Sequence, residues 1–136
     1  MNPDLQKALA AIQQKLKAPK SQQNKFGGYK YRSCEDILEA VKPLIGSCTL
    51  TISDSIKQIG ERFYIESTCT LYGFGDSIAV TAYAREALDK KGMDVAQISG
   101  AASSYSRKYS LNGMFLIDDT ADSDASEPEK TGPPKR

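Results

Sequence analysis

Between Lys15 and Arg32 the chain carries six basic residues (Lys15, Lys17, Lys20, Lys25, Lys30 and Arg32) and no acid. The stretch ends in Lys25-Phe-Gly-Gly-Tyr-Lys-Tyr-Arg32, where Phe26, Tyr29 and Tyr31 interleave with Lys25, Lys30 and Arg32. Cations that track phosphates and rings that stack on unpaired bases hold single-stranded nucleic acid, at roughly 1–3 kcal/mol per stacked base. Gly27-Gly28 would let the backbone approach a strand closely. A plainer reading buries Phe26 and Tyr31 in the core and leaves the lysines to solvate a loop. The segment alone supports both equally.

A second constellation is Gly100-Ala-Ala-Ser-Ser-Tyr-Ser-Arg-Lys-Tyr-Ser-Leu-Asn-Gly113. On a helix, Ala101, Tyr105, Lys108 and Asn112 lie near one another, and Ala102, Tyr109 and Gly113 form an adjacent stripe. The small residues from Ser99 to Ser104 permit another backbone to come close, whether a neighbouring helix or a phosphate strand. Arg107 and Lys108 can reach phosphates and are expected to be exposed. The plainer reading, a tightly packed helix with an exposed Arg-Lys pair, is the one periodicity alone favours. The stretch is not a phosphate loop, since the chain contains no Gly-Lys dipeptide.

Six acids and no base lie between Asp118 and Glu129. Asp118, Asp119, Asp122 and Asp124 could bind Mg²⁺ as in a nuclease, but a solvated acidic exit from the domain fits the run better. The net charge of +1 averages over a basic end and an acidic one. There is no histidine, which excludes Ser-His and Cys-His nucleophile pairs and histidine metal ligands. The three cysteines, Cys34, Cys48 and Cys69, lack metal-ligand spacing. They are expected to be reduced and mostly buried in a cytosolic protein. No metal, cofactor or catalytic residue is expected.

The elements that position these residues follow from patterning. The 136 residues, 40% apolar and 26% charged, suit one globular domain with short tails. Apolar runs are too short to span a bilayer, and the first residues lack a signal-peptide core. Leu5, Ala8, Leu9, Ile12 and Leu16 share one face of a first helix, capped by Asn2 or Asp4 and stopping near Ala18 before Pro19. Pro19 to Gly28 reads as an exposed loop. Ser33 with Asp36 opens a second helix striped by Ile37, Leu38, Val41 and Leu44, and Pro43 and Gly46 stop it. Three period-two runs follow, Cys48 to Ser53, Phe63 to Tyr72 and Ile78 to Arg85, with Gly60 and Gly73-Phe-Gly-Asp76 between them. They predict a three-stranded antiparallel meander with one apolar face and one polar, tyrosine-bearing face. Asp94 with Gln97 opens a third helix that ends at Asn112-Gly113. Met114 to Ile117 then packs back on the sheet. The fold class is α+β, in the order α-α-β-β-β-α, with a domain over residues 1–121. Residues 122–136 form an acidic, Ser- and Pro-rich tail expected to be disordered.

Two stretches resemble the Erf (essential recombination function) family of bacteriophage recombination proteins. They are Tyr29-Lys-Tyr-Arg-Ser-Cys-Glu-Asp-Ile-Leu-Glu-Ala-Val-Lys-Pro-Leu44 and Gln97-Ile-Ser-Gly-Ala-Ala-Ser-Ser-Tyr-Ser-Arg-Lys-Tyr-Ser-Leu-Asn-Gly-Met-Phe-Leu-Ile-Asp-Asp119. The second is long and unusual, and with order and spacing the likeness runs roughly from Leu5 to Asp124. The resemblance implies an ATP-independent protein that binds single-stranded DNA and anneals complementary strands. It implies a fold similar to that of the eukaryotic single-strand annealing mediators, self-assembly into rings or filaments, and residence in the cytoplasm of a bacterial host. It makes Arg107 and Lys108 the first candidates for phosphate contact. Ser103, Ser104 and Tyr105 would line the same groove, with Lys25, Tyr29, Lys30 and Arg32 in its other wall. The short tail after Asp124 departs from the family, which bears on recruitment of a host single-strand-binding protein. Two alternatives are a protein that coats single strands without annealing them and a metal-dependent nuclease using the acidic cluster.

Overall fold

Asn2 accepts from the backbone N–H groups of Asp4 and Leu5, at 2.7 and 3.3 Å, and so starts helix α1 (Pro3–Lys15). Pro3 occupies the first turn, where its missing N–H costs nothing. The computed structural model describes residues 1–23, 30–86 and 95–118, without the side chains of 95–98. Helix α1 ends at Leu16, whose backbone is extended, slightly before the expected stop near Ala18. Two short strands, β1 (Gln22–Gln23) and β2 (Lys30–Tyr31), then pair antiparallel. Strand β1 falls within the expected loop and β2 just beyond it, and two-residue strands carry no alternation to reveal them. Helix α2 (Cys34–Val41) has the full capping box: Ser33 Oγ accepts from Asp36 N, and the Asp36 carboxylate accepts from Ser33 N. A 3₁₀ turn, Lys42–Leu44, carries Pro43, and Gly46 (φ +60°) follows it.

The sheet is the expected meander. Strands β3 (Thr49–Ile59), β4 (Arg62–Gly73) and β5 (Asp76–Arg85) lie in that order, antiparallel throughout. The β4–β5 turn places both Phe74 (φ +56°) and Gly75 (φ +74°) in the left-handed region, as a two-residue hairpin loop of right-handed twist requires. Asn2 fixes this turn, its N–H donating to Asp76 Oδ2 at 2.7 Å and its side-chain amide to Phe74 O at 3.3 Å.

Helix α3 (Val95–Phe115) lies across one face of the sheet, against β4 and β5. It does not end at Asn112-Gly113. It runs on to Phe115, and Leu116 (φ +57°) takes the left-handed position while Ile117 N donates to Asn112 O at 3.1 Å. Gly113 serves packing instead, since a Cβ there would lie 3.0 Å from Val80 Cγ1. Met114 and Phe115, expected to return to the sheet after the helix, are buried as its last turn. Asp94, the side chain of Gln97, the acids from Asp119 onward and the tail 122–136 lie outside the described residues.

The core gathers Leu5, Leu9 and Ile12 of α1, Cys34, Ile37 and Val41 of α2, Cys69 and Leu71 of β4, and Leu111, Met114 and Phe115 of α3. Periodicity selects the members from α1 and β4 and Ile37 and Val41 of α2, whereas Cys34, Leu111, Met114 and Phe115 lie outside the expected stripes. The three cysteines are free and buried. Burial pushes the Cys34 thiol up to about 11 and the Cys69 thiol up to about 12, so both stay protonated at neutral pH. Among the described residues no helix is long and apolar enough to cross a membrane.

Close packing at Gly73 carries a prediction. A Cβ there would meet Cys48 Sγ at 2.8 Å and Leu5 Cδ1 at 3.5 Å. Gly73→Ala is expected to destabilise by about 1 kcal/mol, the low end for overpacking a core. The check is the urea midpoint at unchanged slope, and a midpoint equal to wild type would refute it.

Candidate nucleic-acid interface

Helix α3 presents three directions at its centre. One meets the sheet through a polar cluster. Ser67 on β4 and Ser106 on α3 are fully buried, with their hydroxyls 2.6 Å apart. Ser67 also donates to Asp54 Oδ1 at 2.8 Å, and Ser103 donates to Asp54 Oδ2 at 2.6 Å. Arg107 Nε closes the set at 3.2 Å from Asp54 Oδ2. Desolvation alone would raise the Asp54 carboxyl, but the hydrogen bonds from Ser103 and Ser67 and the Arg107 charge outweigh it. They hold it below the ordinary carboxylate range.

The second direction meets the β1–β2 hairpin. Lys108 is 3% exposed, and its Nζ lies 5.7 Å from the centre of the Tyr31 ring. This corrects the expectation that both basic residues of α3 are exposed. A lysine whose head lies over an aromatic face keeps its charge in a shielded place and packs its stem as an apolar side chain. No local pattern on α3 announces this, because the ring comes from a segment 77 positions away (108 − 31).

The third direction faces solvent. Ser104 is exposed, and Tyr105 is 42% exposed with its ring stacked on Tyr109 at 6.2 Å and 28°. Ser104 precedes Arg107 by three residues and Lys108 by four, so the three are neighbours on the helix surface. Lys30 is exposed on β2 beside Tyr31.

The candidate residues therefore divide. Ser104 and Tyr105 are exposed on α3 and Arg107 partly so, while Lys30 is exposed on β2, the strand that the Tyr31–Lys108 contact joins to α3. Ser103 turns its hydroxyl inward to Asp54. Arg32 is a clip: Nε donates to Ala18 O at 2.7 Å and Nη1 to Asp118 O at 3.0 Å, joining the end of α1 to the exit of α3. It lines an open cleft of about 440 Å³ with Leu16, Pro19, Phe115 and Ile117. Lys25 and Tyr29 lie outside the described residues. Asp54 was not among the residues singled out. Its signal was present, since an acid occupies an inward position after Leu50 and Ile52, where alternation calls for an apolar residue. Among the described residues no group of three or more Cys, Asp or Glu side chains could hold a metal ion.

The ERF superfamily model matches residues 5–135. The chain is 54% identical, over 127 residues, to the "Essential recombination function protein" of Salmonella phage P22. That match takes in 93% of this chain and 62% of the phage protein, so the chain spans under two thirds of that relative's length. No solved structure matches. A family model that spans nearly the whole chain, together with this identity over 93% of it, shows that the chain belongs to the ERF superfamily.

Proposed function

We propose that the chain binds single-stranded DNA along the outer surface of α3 and the β1–β2 hairpin, and anneals complementary strands without ATP in phage homologous recombination. The observation that carries this reading is the packing of Tyr31 on Lys108, which sets the base of the basic, aromatic segment against the Ser-rich face of α3. Two segments that each suggested strand binding thus border one surface. The name of the phage P22 relative supports the recombination role.

The mechanism is electrostatic and geometric. Lys30 and Arg107 lower the repulsion between phosphates of approaching strands. Tyr105 offers a ring face to a base. Lys108 and Tyr31 hold the two walls at a fixed separation, and Ser104 lets a backbone pass close to the helix. No covalent step is needed.

Self-assembly belongs to the same proposal. At the far end of the β3–β4 hairpin, Ile56 is 66% exposed and Phe63 also lies open, both on the helix-side face. A second copy of the chain is the occupant proposed for this apolar end, in a ring or filament that would carry the strand from subunit to subunit.

The test mixes purified protein with complementary oligonucleotides in the absence of ATP, with and without Mg²⁺. Annealing faster than the spontaneous rate, with affinity falling steeply between low and physiological salt, is expected. Binding without annealing would leave only a coating protein, and Mg²⁺-dependent cleavage would indicate a nuclease. Light scattering that shows a strict monomer with and without long single-stranded DNA would exclude the assembly.

A further inference from the structure

The face of the sheet turned away from α3 carries a cluster that the proposed groove does not use. Strand register sets it: Lys57 on β3 and Arg85 on β5 are the direct partners of Tyr64 on the central strand. Directly opposed residues lie roughly 5 Å apart at Cβ, so Tyr64 is flanked by a cation on each side. Arg62, two residues along β4 on the same face, adds a third, anchored by Nη2 donating to Glu86 O at 3.2 Å. The next row is Ser55, Glu66 and Tyr83, with Tyr83 51% exposed. Glu66, the opposing charge in these rows, accepts from Tyr83 Oη at 2.5 Å and Ser55 Oγ at 3.0 Å and lies 3.9 Å from Lys57 Nζ. Its carboxylate is thereby engaged, and the Tyr83 ring is held in place by the same bond. Beyond it the face is lined with hydroxyls, Thr68 and Thr81 bonded at 3.1 Å, and ends at exposed Tyr72.

We infer that this outer sheet face is a second binding surface for single-stranded nucleic acid, with bases stacking on Tyr64 and Tyr83 and phosphates held by Lys57, Arg62 and Arg85. Three cations against one engaged carboxylate give the patch a charge complementary to a polyanion. Accessible tyrosines on a flat, hydroxyl-rich sheet suit unpaired bases, which need ring faces rather than a groove. A strand here would be separated from one on the outer surface of α3 by the sheet and the helix together, so one subunit could hold two strands at once. The inference rests on the strand-binding reading for the class of ligand, and on the sheet alone for its place.

The experiment loads the full chain with a fluorescent thymidine oligonucleotide and titrates a second, non-complementary strand bearing another dye, reading energy transfer. Wild type is expected to take up the second strand. Tyr64→Thr combined with Arg85→Gln should weaken that uptake on the order of tenfold while leaving the first strand bound. Tyr64→Phe, which keeps the ring, should retain it. Lys57→Gln with Arg85→Gln alters only exposed ends and repeats the test if the threonine variant melts early. Second-strand uptake equal to wild type in the charge variant would overturn the inference, as would wild type binding only one strand. Loss of self-association in the variants at equal folding would also overturn it, assigning the face to a copy of the chain. A wild-type chain that binds no strand at all would instead remove the proposed function itself.

Discussion

Asp54→Ala is expected to lower the unfolding free energy by about 2–3 kcal/mol and to remove a step from the acid limb of the stability curve. The size follows from what the carboxylate satisfies. Ser67 is fully buried, Ser103 and Arg107 point at the same two oxygens, and among the described residues no other acid is bonded to these donors. Alanine would take the acceptor from Ser67 and Ser103, force the buried Ser67–Ser106 pair to turn toward Ser103 O, 3.1 Å from Ser106 Oγ, and release Arg107 from the sheet. The pH dependence has a definite sign. The folded Asp54 carboxyl titrates below its unfolded value, so its contribution is complete above about pH 4, the ordinary aspartate range. It is lost as pH falls through the lower, folded value. Urea unfolding of both proteins from pH 7 downward should show the gap between them closing in that window. A gap that stays constant into acid would mean that Asp54 acts through shape and not charge.

The same residue shows how the sequence can be read and where reading stops. Local rules worked where the determinants are local. Asn2 and Ser33 cap their helices, the Ser33–Asp36 box forms on both sides, and the three strands follow their alternation. Where one residue type serves two purposes, the local rule chose the wrong one. Asn112-Gly113 has the composition of a helix end, yet Gly113 is small because Val80 approaches it, and Leu116 takes the left-handed turn at some cost in backbone strain. Asp54 broke the alternation of β3, and the break made the strand read short when it marked a polar partner across the core. Lys108 is the same problem in the candidate site. Its burial depends on Tyr31, far away in the chain, and no helical periodicity contains that fact. Basic residues adjacent in sequence thus have different surroundings, and their roles separate.

That separation makes Arg107 and Lys108 the sharpest test of the interface, provided they are changed singly. Lys108→Ala should cost about 2 kcal/mol or more of stability, since it removes a shielded cation over the Tyr31 ring and the stem that packs beneath it. Lys108→Met keeps most of the stem and should recover part of that loss. Neither change should alter the salt dependence of strand binding by folded protein, because a head group sealed against Tyr31 positions the hairpin and does not meet a phosphate. Arg107→Ala should behave oppositely. Its side chain is 40% exposed, and its ion pair with Asp54 near the surface is worth only about 0–1 kcal/mol, so the fold should survive. Strand affinity should fall at every sequence alike, and the slope of log affinity against log salt should shrink by about one ion. Changing both residues at once would merge a packing defect with a lost phosphate contact and make the affinity uninterpretable. Fluorescence anisotropy on a thymidine oligonucleotide across salt, with melting curves on the same samples, separates the two. If Arg107→Ala stays folded and keeps both wild-type affinity and wild-type slope, the strand does not cross the centre of α3. Lys30 and the hairpin it borders would then carry the interface.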